Sequence, residues 1–177
     1  LEPSRFLLAE RFIPTHLIDA YESLIKDLLQ RVEACYGRAG DVDTIRLHGD
    51  FHPGNVLWRD EGPQIVDFDD ARMGPAVQDL WMFLSGDQDE QRPQLDALLE
   101  GYTEFRDFDT RELRLIEALR SLRILHYAAW IARRWEDPAF RIAFPWFDSS
   151  RYWDEHVLAL REQVALMQEA PLEWRPY

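Results

Sequence analysis

Two short apolar runs, Val56-Leu57-Trp58 and Gln64-Ile65-Val66, flank Arg59-Asp60-Glu61-Gly62-Pro63. The five intervening residues are rich in turn formers, and the spacing predicts a β-hairpin. No other feature constrains the fold as much, because a hairpin sets the residue before its first strand beside the residue after its second. Asn55 precedes the first run and Asp67 comes after the second, so the two are expected side by side. Asp50 stands one short loop upstream. Three oxygen-bearing side chains thus converge at one end of a hairpin. A hard cation such as Mg²⁺ takes oxygen ligands, and it commonly binds through few protein groups plus water and phosphate oxygens.

Each of these residues also has a plainer use. Asp50 taken alone suits an Asx-turn, and Asn55, the only asparagine in the chain, suits a left-handed turn beside Gly54. An amide oxygen, however, joins a cation site without adding charge repulsion. Asp67 follows two β-branched residues, as a carboxylate at a strand end should. His48, Asp50 and His52 together form H-x-D-x-H, a pattern that dinuclear metal hydrolases use. The remaining histidines, His16, His126 and His156, are scattered over helical segments, so His52-Pro53-Gly54 is read as loop geometry.

The chain has 177 residues, 46% of them hydrophobic and seven of them Trp, so a core for one compact domain over 1–177 is expected. The net charge of −13 speaks against a nucleic-acid footprint and against attraction to an anionic membrane. Cys35 stands alone, which excludes an intramolecular disulfide and a Cys-rich metal site. No apolar run approaches membrane-spanning length and no signal pattern opens the chain, so the cytoplasm is the expected compartment.

Residues 1–14 show no clean period. Thr15 is placed as the cap of a helix with Leu17, Tyr21, Leu24, Leu28 and Val32 as its buried stripe, ended by Gly37 and Gly40. Residues 44–47 read as a strand. Residues 69–75 read as a loop before a helix over about 76–84. Pro93 is expected to start a helix with Leu95, Leu98, Leu99, Tyr102 and Phe105 on one face. Asp109 with Glu112 resembles a capping box for a helix to about Trp135, with Ile116, Leu119, Leu122 and Tyr127 apolar. Asp137-Pro138 stops it, residues 140–153 form an aromatic-rich loop, and 152–169 form the last helix.

The order His48-x-Asp50-x4-Asn55, then Asp67, resembles the catalytic loop and metal-binding aspartate of the protein-kinase-like superfamily. Gly49 is similar to the aminoglycoside phosphotransferase and choline kinase branch. The stretches RLHGDFHPGNVLWRD (46–60) and VDFDDARMGPAVQDLWM (66–82), with Arg133-Arg134-Trp135-Glu136-Asp137-Pro138-Ala139-Phe140, are similar to the bacterial stress-response Ser/Thr protein kinases within that branch. The likeness runs through nearly the whole chain. It implies an α+β, mostly helical fold, the C-terminal lobe of a kinase-like phosphotransferase with a small hairpin carrying the active site.

The same resemblance implies roles. Asp50 becomes the catalytic base, Asn55 and Asp67 the Mg²⁺ ligands, and Leu57 and Val66 the surface under the adenine of ATP, although pattern alone makes the last two plain core. His48 braces the loop, and Asp79 resembles the helix aspartate that ties it down. Asp69 is a candidate contact for a second cation or the substrate, and Asp70 is structural. Arg120, Arg123, Arg133 and Arg134 are read as surface helix charges.

The chain opens on Leu1, has a single lysine, Lys26, on an amphipathic helix, and has no G-x-G-x-x-G loop. The expectation is therefore that the N-terminal nucleotide-binding lobe lies outside this chain and is its partner, with a protein as substrate. A small-molecule kinase of the aminoglycoside, choline or homoserine type, and an inactive lobe serving as a binding module, are the alternatives. A metal-dependent hydrolase is the third class.

Overall fold

Among the described residues helices predominate, and the strands form only two small ribbons. The computed structural model describes residues 2–175. In order come α1 (Glu2–Ala9), a 3-10 turn (Thr15–Leu17), α2 (Ile18–Ala39), β1 (Ile45–Leu47), a 3-10 turn (Pro53–Asn55), β2 (Val56–Arg59), β3 (Gly62–Ile65) and β4 (Arg72–Gly74). The chain continues through α3 (Val77–Leu80), a 3-10 turn (Trp81–Phe83), α4 (Gln88–Thr103), a 3-10 segment (Thr110–Leu115), α5 (Ile116–Ala132), α6 (Pro138–Ala143) and α7 (Ser150–Leu166). The class is α+β and mostly helical. The described residues group into two units, one of 2–35 with Glu117–Ala170 and one of Tyr36–Ile116 with 171–175. Among the described residues no helix is long and apolar enough to cross a membrane.

The first unit is a helical core. Along α2, Tyr21, Ile25, Leu28, Val32 and Cys35 are buried at alternating spacings of four and three, which keeps one stripe facing inward. Leu17 and Leu24 pack on its margin. Phe147 is completely buried, with the rings of Trp135, Tyr152 and Trp153 about it at 5.1–5.2 Å. Burying each such side chain stabilises the fold by ~1.5–3 kcal/mol. Three of the arginines are engaged here. Arg120 pairs with Glu117 at 3.0 Å, Arg133 with Glu2 at 2.8 Å, and Arg134 lies 4.7 Å over Trp130.

Several expectations for this unit need correction. Residues 2–9 form a helix that buries Ser4 and Leu7, a segment too short for its period to stand out. Thr15 opens a 3-10 turn rather than capping α2, and Gly37 lies inside α2, leaving Gly40 (φ +72°) to end it. Tyr127 is exposed rather than on the apolar face of α5. Asp137-Pro138 both stops and starts. The Asp137 carboxylate accepts the Ala139 N–H at 2.9 Å and Pro138 takes the first helical position, so a helix over 138–143 takes up the first residues of the expected loop.

In the second unit β1 pairs antiparallel with β4 and β2 with β3. The hairpin turn is tighter than expected, Arg59 facing Gly62 across Asp60-Glu61. Residues 72–74 are a strand, not a loop. Three residues ending in Gly74, with Pro75 next, carry no alternation, and only pairing with β1 reveals them. The helix expected over 76–84 is one α-helical turn, α3, finished by a 3-10 turn.

The start of α4 lies at Gln88, five residues before Pro93. Asp87 accepts the Asp89 and Glu90 N–H groups and Glu90 returns to the Asp87 N–H, a full capping box. Phe105 lies beyond the end of α4 and is exposed. Asp109 accepts the Arg111 N–H, but Glu112 does not reach back to it. The Glu112 carboxylate is buried and accepts the Val77 N–H at 2.9 Å, so it satisfies the start of α3 instead. Burial raises its pKa, and the Val77 hydrogen bond opposes that rise.

Candidate active site

The loop that leaves β1 is held from two directions. The Asp79 carboxylate on α3 accepts the His48 N–H at 2.7 Å and the Gly49 N–H at 2.9 Å. From β4, the Arg72 guanidinium donates to the Gly49 carbonyl at 3.0 Å. Gly49 has φ +88°, and a Cβ there would strike the Asp70 carbonyl oxygen. Glycine at this position is therefore a steric requirement as well as a conformational one.

His48 has no spare nitrogen for proton transfer. Its Nδ1 accepts the Asp50 N–H at 3.3 Å, so Nε2 carries the proton and donates to the Val66 carbonyl at 2.8 Å. The ring is buried, with Phe68 at 4.8 Å and Phe51 at 5.5 Å. These bonds tie the loop before β2 to the residue that precedes Asp67. They also exclude His48 as a metal ligand, which removes the H-x-D-x-H hydrolase pattern.

Asn55 joins the two carboxylate segments. Its buried side-chain amide donates to the Asp50 carbonyl at 3.0 Å, and its own carbonyl accepts the Val66 N–H at 3.1 Å. Asp67 is the next residue after Val66 and has φ +66°, a left-handed conformation rare outside glycine. Such backbone is retained where the surrounding structure imposes it, commonly at functional sites. His52 closes the arrangement, its Nδ1 accepting the Gly54 N–H at 3.0 Å and its Nε2 lying 3.8 Å from Asp50 Oδ2.

The donor set suits one kind of cation. With the Asn55 nitrogen committed to the Asp50 carbonyl, the amide oxygen is the atom left for a ligand, and Asp67 supplies a solvent-facing carboxylate. Among the described residues no group of three or more His, Cys, Asp or Glu side chains can hold a metal. Two oxygens fit a hard ion that completes its shell with water and phosphate.

The hairpin presents further expected residues. By strand alternation Leu57, Gln64 and Val66 share one face, while Trp58 and Ile65 share the other. Leu57 is 41% exposed, so the plain core reading fails for it, and Val66 is half-buried. Asp69 is exposed within a turn closed by the Ala71 N–H to the Phe68 carbonyl. The reading of His52 as loop geometry agrees with its cap on the Gly54 N–H; Arg72 is the site residue that sequence reasoning missed. Arg72 becomes visible only through the β1–β4 pairing.

The chain has relatives among proteins of known name. The phosphotransferase enzyme family pattern matches residues 3–116. Over 176 residues the chain is 47% identical to Stress response kinase A of Escherichia coli (strain K12), covering 99% of this chain and 53% of that protein. Over 175 residues it is 46% identical to Serine/threonine protein kinase RdoA of Salmonella typhimurium, covering 99% and 52%. Stress response kinase A of Shigella flexneri matches at 46% over 176 residues, covering 99% and 53%. The chain spans about half the length of the curated relatives it matches.

Proposed function

The chain belongs to the phosphotransferase enzyme family, and on that premise we propose that it is the catalytic-loop lobe of an ATP-dependent Ser/Thr protein kinase acting in a bacterial stress response. One observation carries the reading: Asn55 links Asp50 by its side chain and the Val66–Asp67 corner by its backbone. That linkage supports reading Asp50 as the proton acceptor and Asn55 and Asp67 as the cation ligands.

Phosphoryl transfer is mainly a matter of positioning and charge neutralisation. Asp50 orients the Ser or Thr hydroxyl of the acceptor protein and takes its proton as the oxygen attacks the γ-phosphorus, the bond to the β,γ-bridging oxygen breaks and ADP departs. Asn55 and Asp67 would hold Mg²⁺, which when bound neutralises phosphate charge. Leu57 and Val66 offer an apolar face for the adenine. His48, Asp79 and Arg72 fix the loop and exchange no protons with substrate. Asp69 is a peripheral contact to the acceptor or a second cation. The lysine and glycine-rich strand that grip the nucleotide phosphates in this superfamily come from a lobe outside this chain. The reading carries a cytoplasmic location, where ATP is available.

A protein acceptor, rather than an aminoglycoside, choline or homoserine, is supported by the names of relatives that match 99% of the chain. Calorimetric titration of ATP into the intact protein, with Mg²⁺ and with EDTA, tests the cation site. Binding heat should require Mg²⁺ and be lost in Asp67→Ala. Equal ATP binding in all four combinations would contradict the proposal.

A further inference from the structure

We propose that His52 is a positioning residue for Asp50, coupling the proton-accepting carboxylate to the turn that presents Asn55; the inference rests on the phosphotransferase reading above. The side chain caps the 3-10 turn Pro53–Asn55, its Nδ1 accepting the Gly54 N–H at 3.0 Å. An accepting nitrogen carries no proton, so the proton of the neutral ring sits on Nε2. That Nε2–H lies 3.8 Å from Asp50 Oδ2. A movement of about 1 Å brings the pair within hydrogen-bond range.

Gly54 makes room for this ring. A Cβ at position 54 would sit 2.7 Å from His52 Cε1 and 2.9 Å from Nδ1. The imidazole therefore lies against a backbone without a side chain, with one nitrogen on the turn and the other toward the carboxylate. The connections close on themselves. His52 holds Gly54, the His52 carbonyl accepts the Asn55 N–H at 2.9 Å, and the Asn55 amide donates to the Asp50 carbonyl. Displacing His52 disturbs both the orientation of Asp50 and the turn beneath Asn55.

Two substitutions separate these tasks. Asn at position 52 can still cap the Gly54 N–H as an Asx-turn but is too short to face Asp50. Ala does neither. The assay is γ-phosphoryl transfer from labelled ATP to casein by the intact protein, with the Mg²⁺-dependent ATP affinity read separately by calorimetry.

His52→Asn should keep its ATP affinity within about twofold, since the cap survives, while kcat falls about 10- to 100-fold through misplacement of Asp50. His52→Ala should show the same kcat loss and weaker ATP binding as well. Asp50→Asn in the same assay separates the role of His52 from the kinase reading. Wild-type kcat in His52→Asn beside a silent Asp50→Asn overturns the role of His52 alone. Wild-type kcat in Asp50→Asn, or no transfer by the unaltered protein, overturns the kinase reading and the role of His52 with it.

Discussion

The Asp79 carboxylate accepts the backbone N–H of His48 at 2.7 Å, and its second oxygen accepts the N–H of Gly49 at 2.9 Å. Both oxygens act as acceptors, so the conservative amide is no substitute. Asp79→Asn leaves one acceptor and turns a donor toward the other N–H. Asp79→Ala leaves two half-buried donors unpaired. Each variant should lose about 2–4 kcal/mol of stability by urea unfolding. Unfolding midpoints equal to wild type would show that the loop stands without this brace.

Gly49 should tolerate no side chain. A left-handed φ costs a residue with a Cβ roughly 1–3 kcal/mol, and here that Cβ also meets the Asp70 carbonyl. Gly49→Ala is expected to destabilise the protein by at least that amount and to abolish phosphoryl transfer. Thermal unfolding and the kinase assay, run together, check both outcomes.

Asp67 places stability and function in opposition. Its φ of +66° suits glycine better than any carboxylate. Asp67→Gly is expected to raise stability by up to about 1 kcal/mol, while removing Mg²⁺-dependent ATP binding. Asp67→Asn should keep the backbone, since Asn tolerates this region, and still weaken the cation site. A glycine variant that is both less stable and fully able to bind would refute the assignment.

His156 sets an acid limit on the first unit. Its ring lies in the core beside Tyr21, Tyr152 and Trp153, and burial lowers its pKa to about 4. A base with a depressed folded pKa stays neutral in the native state while the unfolded chain protonates near pH 6.5. Its contribution is thus present above that pH, declines as the pH falls and is gone below about 4. The loss over this window is on the order of 3 kcal/mol. Stability measured from pH 7 to pH 4 should fall less steeply in His156→Gln than in wild type. Identical slopes would remove His156 as the cause.

The parts of the site legible in the sequence are those fixed by short-range spacing. The hairpin is implied by two apolar runs about a turn, and the hairpin in turn implies the nearness of Asn55 to the Val66–Asp67 corner. Features that could not be read depend on partners distant in sequence. The β4 strand exists because β1 lies beside it. Glu112 has the spacing of a capping box, yet its carboxylate goes to Val77, 35 residues away. The genuine box at Asp87 and Glu90 was legible but lost to Pro93, whose fixed φ usually marks a first turn. The aromatic segment after Trp135 concealed a short helix because rings packing in every direction erase a 3.6-residue period.

In the proposed mechanism Asp50 accepts the proton of a protein hydroxyl during transfer from ATP. The most direct measurement is initial-rate transfer of labelled γ-phosphate to casein by the intact protein and by Asp50→Asn, with circular dichroism confirming equal folding. The expected rate for Asp50→Asn is lower by about 10²–10⁴-fold, with ATP affinity retained. Transfer by Asp50→Asn at the wild-type rate would contradict it.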